Sequence, residues 1–165
     1  IFYGKEMRLV TSNIRRNSPL CLDSKIHHAN LINNILAKIE ANNAGVDDAV
    51  MLDLNGFVAE TNATNIFMIK DGVVITPYPK ACLPGITREL VVEICRSNNI
   101  PLIEQDISVT ELYNADEVFT TGTMGELARV NEIDNRKIEN KGELLIQIQS
   151  LFTKLTEVEG EDLPF

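Results

Sequence analysis

The chain has 165 residues, 44% of them hydrophobic and 24% charged, with 15 Lys+Arg against 24 Asp+Glu for a net charge of −9. That length suits one domain, or one domain with attached tails, and the composition is that of a folded globular chain rather than a disordered one. The acidic balance argues against a broad nucleic-acid or anionic-membrane surface, although a local pocket can still be cationic. No apolar run approaches the roughly 20 residues of a membrane-spanning helix.

Residues 1–24 read as a strand-like piece, a polar turn at Thr11-Ser12-Asn13, an Arg15-Arg16 pair and an extended stretch through Pro19. The spacing then predicts a helix over His27–Asn43, where Ile32, Ile35, Leu36 and Ile39 recur at i, i+3, i+4, i+7 as one apolar stripe and Gly45 offers a left-handed cap. From there the period changes. Ala49–Leu54 and Phe57–Ala59 flank the hairpin signal Asn55-Gly56, and Asn65–Lys70 and Val73–Thr76 flank Asp71-Gly72. Strand, tight turn, strand, repeated, means antiparallel sheet. Pro77, Pro79 and Pro84 punctuate a loop ending in Gly85, and a helix follows over Thr87–Asn98 with Glu89 and Glu93 on its solvated side. Pro101–Gln105 predicts a strand and Ser108–Tyr113 a helical turn capped by Ser108 or Thr110. Strands Glu117–Thr121 and Leu127–Ile133 surround the loop Gly122–Glu126. A last helix covers Gly142–Glu157, before an acidic tail. This order is α+β rather than a parallel doubly wound arrangement. Neither G-x-G-x-x-G nor G-x-x-x-x-G-K-[ST] occurs, so the usual dinucleotide and nucleoside-triphosphate signals are missing.

Cys21, Cys82 and Cys95 are odd in number and form no C-x-x-C pair, so neither a disulfide framework nor a zinc site is expected. The compartment expected is a reducing one: the cytoplasm, or an organelle matrix if a transit peptide precedes the chain. The opening Ile-Phe-Tyr-Gly-Lys-Glu has no initiator Met and no signal-peptide layout, and a piece of a longer protein is expected.

Four segments could carry chemistry: Asp23-Ser24-Lys25-Ile26-His27-His28, Ala59-Glu60-Thr61-Asn62-Ala63-Thr64-Asn65, Leu83-Pro84-Gly85-Ile86-Thr87-Arg88 and Thr120-Thr121-Gly122-Thr123-Met124-Gly125-Glu126. In the third, Pro84-Gly85 leaves the backbone free of bulk and the helix-start amides of Ile86 and Thr87 point outward unpaired, which favours an anion. The fourth adds hydroxyls and amides from Thr121, Thr123 and the glycines. Together they could hold a phosphate group, although composition alone favours capped turns. A Lys sheltered from water can bond an aldehyde, and a carboxylate facing a pyridine nitrogen keeps that ring protonated. Lys25 and Glu60 have those types, yet each alone is ordinarily a solvated charge, and spacing does not join them. His27-His28 lacks a second ligand cluster, so no metal site is expected.

In order, these segments resemble the fold-type IV (class IV) pyridoxal-phosphate aminotransferases, which include branched-chain and D-amino-acid aminotransferases and aminodeoxychorismate lyase. The resemblance runs from about Arg16 to Ile138. It rests on Lys25 followed by N-x-x-x-N-I-L-A-K-I-E-A, on A-E-T-N-A-T-N-I-F, on L-P-G-I-T-R and on A-D-E-V-F-T-T-G-T-M-G-E-L, and its closest flavour is branched-chain-like. It implies a barrel-like β core of antiparallel hairpins flanked by helices. It divides the chain into a connecting segment and leading strand (1–24), the pyridoxal-phosphate-binding C-terminal domain (25–157) and an acidic tail (158–165), with the family's small N-terminal domain not included. By the same resemblance Lys25 is the Schiff-base lysine and proton carrier, Glu60 pairs with the ring nitrogen and Leu83 packs under the ring. Gly85, Ile86, Thr87 and Thr123 serve the phosphate, and the Met124 amide meets substrate carboxylate. The implied activity moves an amino group between an amino acid and a 2-oxo acid. A lyase of the same family, or a non-catalytic dimerisation or regulatory module, are the alternatives. A homodimer or larger homo-oligomer is implied, with no nucleic acid and no membrane. Arg129 stands where the family run E-[IL]-x-P-V has Pro, and Asn135 where the following turn has Gly.

Overall fold

The computed structural model describes residues 6–140 and 142–158. Of the expected tail 158–165, Val158 ends the last helix and the rest lies outside the described residues, as do residues 1–5 of the leading segment. The elements run β1 (Met7–Thr11), α1 (Ile32–Ala44), β2 (Asp48–Leu52), β3 (Val58–Thr61), β4 (Asn65–Lys70), β5 (Val73–Thr76), α2 (Ile86–Ser97), β6 (Leu102–Glu104), α3 (Val109–Tyr113), β7 (Glu117–Gly122), β8 (Glu126–Ile133), β9 (Arg136–Lys137) and α4 (Leu144–Val158).

All these strands join one mixed sheet in the order β3-β2-β1-β8-β7-β4-β5-β6, with β9 beside β8. The sheet curls into a half-barrel flanked by helices, the α+β architecture expected. The hairpin pairs are antiparallel, including β4 with β5 across Asp71 (φ +49°) and Gly72 (φ +76°), two left-handed positions that suit a tight hairpin turn. Three pairings are parallel instead: β1 with β2, β1 with β8, and β5 with β6. The connection from β1 to β2 carries α1 and that from β5 to β6 carries α2, and a helical crossover returns the chain in the direction it left. Hairpin signals are local and legible; this long-range strand sense is not.

The sheet has two apolar faces because side chains alternate along a strand. Ile66 and Met68 of β4 join one core with Met7, Leu9, Val118 and Val130, whereas Phe67 and Ile69 join the other, under α2 and α4. Phe67 and Phe119 are directly opposed across β4 and β7, and their rings stack at 5.0 Å. Both strands are therefore buried on both sides, which fits the unbroken apolar run Ile66–Ile69 of β4.

Helix α1 departs most from expectation. It starts at Ile32, not at His27. The preceding residues form turns instead: Asp23 accepts from the Lys25 N–H through its side chain and from Ile26 N–H through its carbonyl, and Ala29 O accepts from Leu31 N–H. With those backbone groups held in turns, the helix cannot reach further back. Ala37 and Ala41 are its fully buried residues and pack on Ala49 and Met51 of β2. The stripe Ile32, Ile35, Leu36, Ile39 points away from the sheet, each residue 41–55% exposed. α3, by contrast, forms as read: Ser108 and Glu111 make a reciprocal capping box.

Candidate active site

A cavity of about 690 Å³, within the usual range for small-molecule sites, opens between the β3–β4 loop, the start of α2 and the β7–β8 loop. Each wall has a local cause. In the β3–β4 loop the Thr61 hydroxyl accepts from the amides of Ala63 and Thr64, closing a tight turn just after Glu60. Asn62 pins that turn to β2, its amide oxygen accepting from Ala49 N–H and its side-chain NH₂ donating to Asp48. Asp48 in turn receives Lys38 Nζ at 2.9 Å.

Glu60 is buried, and its two oxygens have separate partners. Oε1 lies 2.9 Å from the Arg16 guanidinium, itself buried. Oε2 accepts from Asn65 Nδ2 at 3.3 Å, and the same NH₂ donates to the Leu83 carbonyl at 2.9 Å. Burial pushes the Glu60 carboxyl up to about 7, against the opposing pull of Arg16. Nearby Cys82 is neutral: burial raises its thiol to about 12.

At the second wall, α2 begins after Gly85, whose backbone is extended (φ −67°, ψ 142°) and offers no side-chain cap. A Cβ there would lie 2.3 Å from Asn65 Oδ1, so glycine is what permits Asn65 to reach both Leu83 and Glu60. The first amide to return into the helix is that of Glu89, on Gly85 O. The earlier amides, those of Ile86 and Thr87 among them, are the ones a helix start leaves for a ligand. The third wall is the β7–β8 loop. A Cβ on Gly122 would come within 3.0 Å of Thr64 Cγ2. The Thr121 hydroxyl is buried, lines the cavity and has no hydrogen-bond partner, while Thr123 and Met124 are exposed at its edge. An unpartnered buried hydroxyl beside a free helix start fits an oxyanion.

The fold thus brings Glu60, Leu83, Gly85, Ile86, Thr87, Thr123 and Met124 around one cavity. Lys25 does not line it and its side chain is exposed, although its charge is felt by Cys82, the residue before Leu83. His27, two residues on, does line the cavity. Arg16 and Asn65 are the contributors to which sequence reading gave no role. One signal existed: adjacent residues in an extended segment face opposite ways, so one arginine of the Arg15-Arg16 pair had to turn inward.

A family model described as Amino-transferase class IV matches residues 2–133. The chain belongs to the class IV aminotransferase family, the one its ordered motifs resemble. Over 158 residues it is 58% identical to the branched-chain-amino-acid aminotransferase-like protein 2 of Arabidopsis thaliana, covering 94% of this chain and 28% of that protein. Among solved structures it is similar to the branched-chain aminotransferase of Thermoproteus uzoniensis with norvaline, with a TM-score of 0.89 and 34% identity over 94% of this chain and 53% of that one. An aminotransferase from Brucella abortus bound to the co-factor PLP gives a TM-score of 0.87 at 29% identity, over 93% of this chain and 55% of that one. The chain therefore spans about a quarter to just over a half of the length of these relatives.

Proposed function

We propose that this chain is the cofactor-holding part of a pyridoxal-phosphate-dependent aminotransferase of branched-chain type, moving an amino group between an amino acid and a 2-oxo acid. The observation that carries this reading is the single cavity in which a buried carboxyl and two oxyanion-binding loops face one another. Bound there, pyridoxal phosphate supplies an aldehyde and a ring that takes up negative charge from the substrate α-carbon.

This chain's residues have the following parts. The amides of Ile86 and Thr87, with the hydroxyl of Thr123, hold the phosphate, and Gly85 keeps the approach to that helix start open. Leu83 packs under the ring. Glu60 holds the proton on the ring nitrogen. Met124 offers its amide to a substrate carboxylate. Lys25 Nζ would be the amine for the cofactor's aldehyde, with release of water, and the carrier of the α-proton; it lies outside the cavity lining, so the 17–31 segment would have to turn it inward. A homodimer or larger homo-oligomer belongs to the same reading, supported by the exposed apolar stripe of α1. The compartment proposed is the cytoplasm or an organelle matrix. One observation favours the non-catalytic module instead: the exposure of Lys25 away from the cavity wall.

The test is to incubate the protein with pyridoxal phosphate, reduce with borohydride and map the labelled peptide. The label is expected on Lys25, with Lys25→Ala abolishing both label and transamination of a branched-chain amino acid with 2-oxoglutarate. Cofactor bound without a trapped lysine, and no turnover, selects the non-catalytic module. Turnover retained by Lys25→Ala defeats the assignment of that residue.

A further inference from the structure

The Arg16–Glu60 pair is more than a neutralised charge, because Arg16 is fixed at three separate points. Its Nε donates to the Ala81 carbonyl at 3.0 Å, one terminal nitrogen to Asn34 Oδ1 at 2.5 Å and the other to Glu60 Oε1 at 2.9 Å. Asn34 is itself held, donating to the Asn62 carbonyl in the turn after Glu60. The guanidinium thus ties α1, β3 and the segment before Leu83 together, with its charge on Oε1 of Glu60 while Oε2 faces Asn65, which also holds Leu83. Two neighbouring cations are already engaged elsewhere: Lys38 with Asp48, and Arg88 with Glu104 and the Pro77 carbonyl. Cys82 is neutral, and the Glu60 carboxyl is met by Arg16, by Asn65 and by the Leu83 backbone, while Lys25 is exposed.

A carboxyl in so dry a place would rather be neutral. A neutral acid cannot hold a proton on a ring nitrogen by charge; it can only share a hydrogen bond. We propose that Arg16 is a positioning residue of this site: anchored at three points, it orients the Glu60 carboxyl and favours its ionised form over the neutral one, ready to receive a protonated aromatic ring nitrogen. Arg16 acts through Glu60 and does not touch the ligand itself. The choice of a protonated ring nitrogen as the recipient rests on the pyridoxal-phosphate reading above; the coupling of Arg16 to Glu60 does not.

Two measurements separate those two claims. The first is a carbon-13 NMR titration of the Glu60 carboxyl in the cofactor-free protein, assigned by its absence in Glu60→Gln. Arg16→Gln and Arg16→Met are expected to move its midpoint up by one unit or more, and Arg16→Lys to restore most of the difference. An unmoved midpoint in either neutral variant overturns the proposal. So does a wild-type midpoint well above neutrality, beyond about pH 9, which needs no variant to fold. The second compares the affinity for pyridoxal phosphate with that for its analogue carrying carbon in place of the ring nitrogen. The wild-type protein is expected to prefer the natural ring, and Arg16→Gln to lose about tenfold of that preference. Equal preference in wild type and Arg16→Gln overturns the proposal. A wild-type protein that binds neither compound, while the titration moves as expected, defeats the cofactor reading and leaves Arg16 as the residue that favours the ionised form of Glu60.

Discussion

Glu60 ties stability to pH in a direction opposite to that of a common paired carboxylate. Its folded value is raised from the ordinary 4.5 to about 7, because burial outweighs the pull of Arg16. The native state therefore holds this proton more tightly than the unfolded chain does. The stabilisation is fully present below the unfolded value and is lost as pH rises through about 7, a swing on the order of 3 kcal/mol. Thermal melts of the cofactor-free protein between pH 5 and 8 are expected to show Tm falling across that interval, and Glu60→Gln to flatten the dependence. Asp116 and Glu111 are both held below the ordinary carboxylate range, Asp116 by Lys70 and Glu111 by its Ser108 cap, so they titrate outside this interval. Gly85 is the other decisive single residue. Gly85→Ala places a methyl against Asn65 Oδ1, and Asn65 must then release Leu83 O or Glu60. Leaving such buried groups unpaired costs about 1–3 kcal/mol, and affinity for pyridoxal phosphate is expected to fall about tenfold or more in a fluorescence titration.

Among the elements, α1 is built the wrong way round for a surface helix. Its small residues Ala37 and Ala41 face the sheet, and its isoleucines face out. Close approach to β2 explains the alanines, because a larger side chain would push the helix off Ala49 and Met51. For the outward stripe, the proposed homo-oligomer is the covering surface to test. Ile35→Asp with Ile39→Asp is expected to lower the sedimentation mass toward one chain while leaving the far-ultraviolet circular dichroism intact. An unchanged mass would assign the stripe elsewhere. In the two central strands, Phe67 and Phe119 illustrate the opposite case, a pair with no exposed side. Phe119→Ala removes a stacked ring from a fully buried position and is expected to cost about 3–5 kcal/mol in urea denaturation.

Across the molecule, the cavity exists because three loops that are distant in sequence meet at one end of the curled sheet. β4 lies beside β7, which brings the turn after Glu60 against the loop after Thr121. α2 then delivers its start between them through Gly85 and Asn65. Much of this was legible locally. Asn65–Lys70 and Val73–Thr76 are the observed bounds of β4 and β5, because apolar runs bounded by Asp71-Gly72 leave little freedom. The helix-start loop at Gly85 and the hydroxyl loop at Thr121–Thr123 could be singled out from residue type, although residue type alone favoured plain capped turns. The start of α1 was not, because Asp23 and Ala29 use the backbone in turns that helical periodicity does not register.

By itself the sequence determined the elements with strong local signals, the two small-residue loops that line the cavity and, through its ordered motifs, the family to which the chain belongs. Only the tertiary structure decided which strands run parallel, which face of α1 is buried and that Arg16 stands on Glu60. It also decided that Lys25 stays exposed while Glu60 is enclosed. The physical reason is range: turns, caps and periodicities are properties of neighbouring residues, whereas the desolvation of a carboxyl and the choice of its counter-charge depend on groups that only folding brings together.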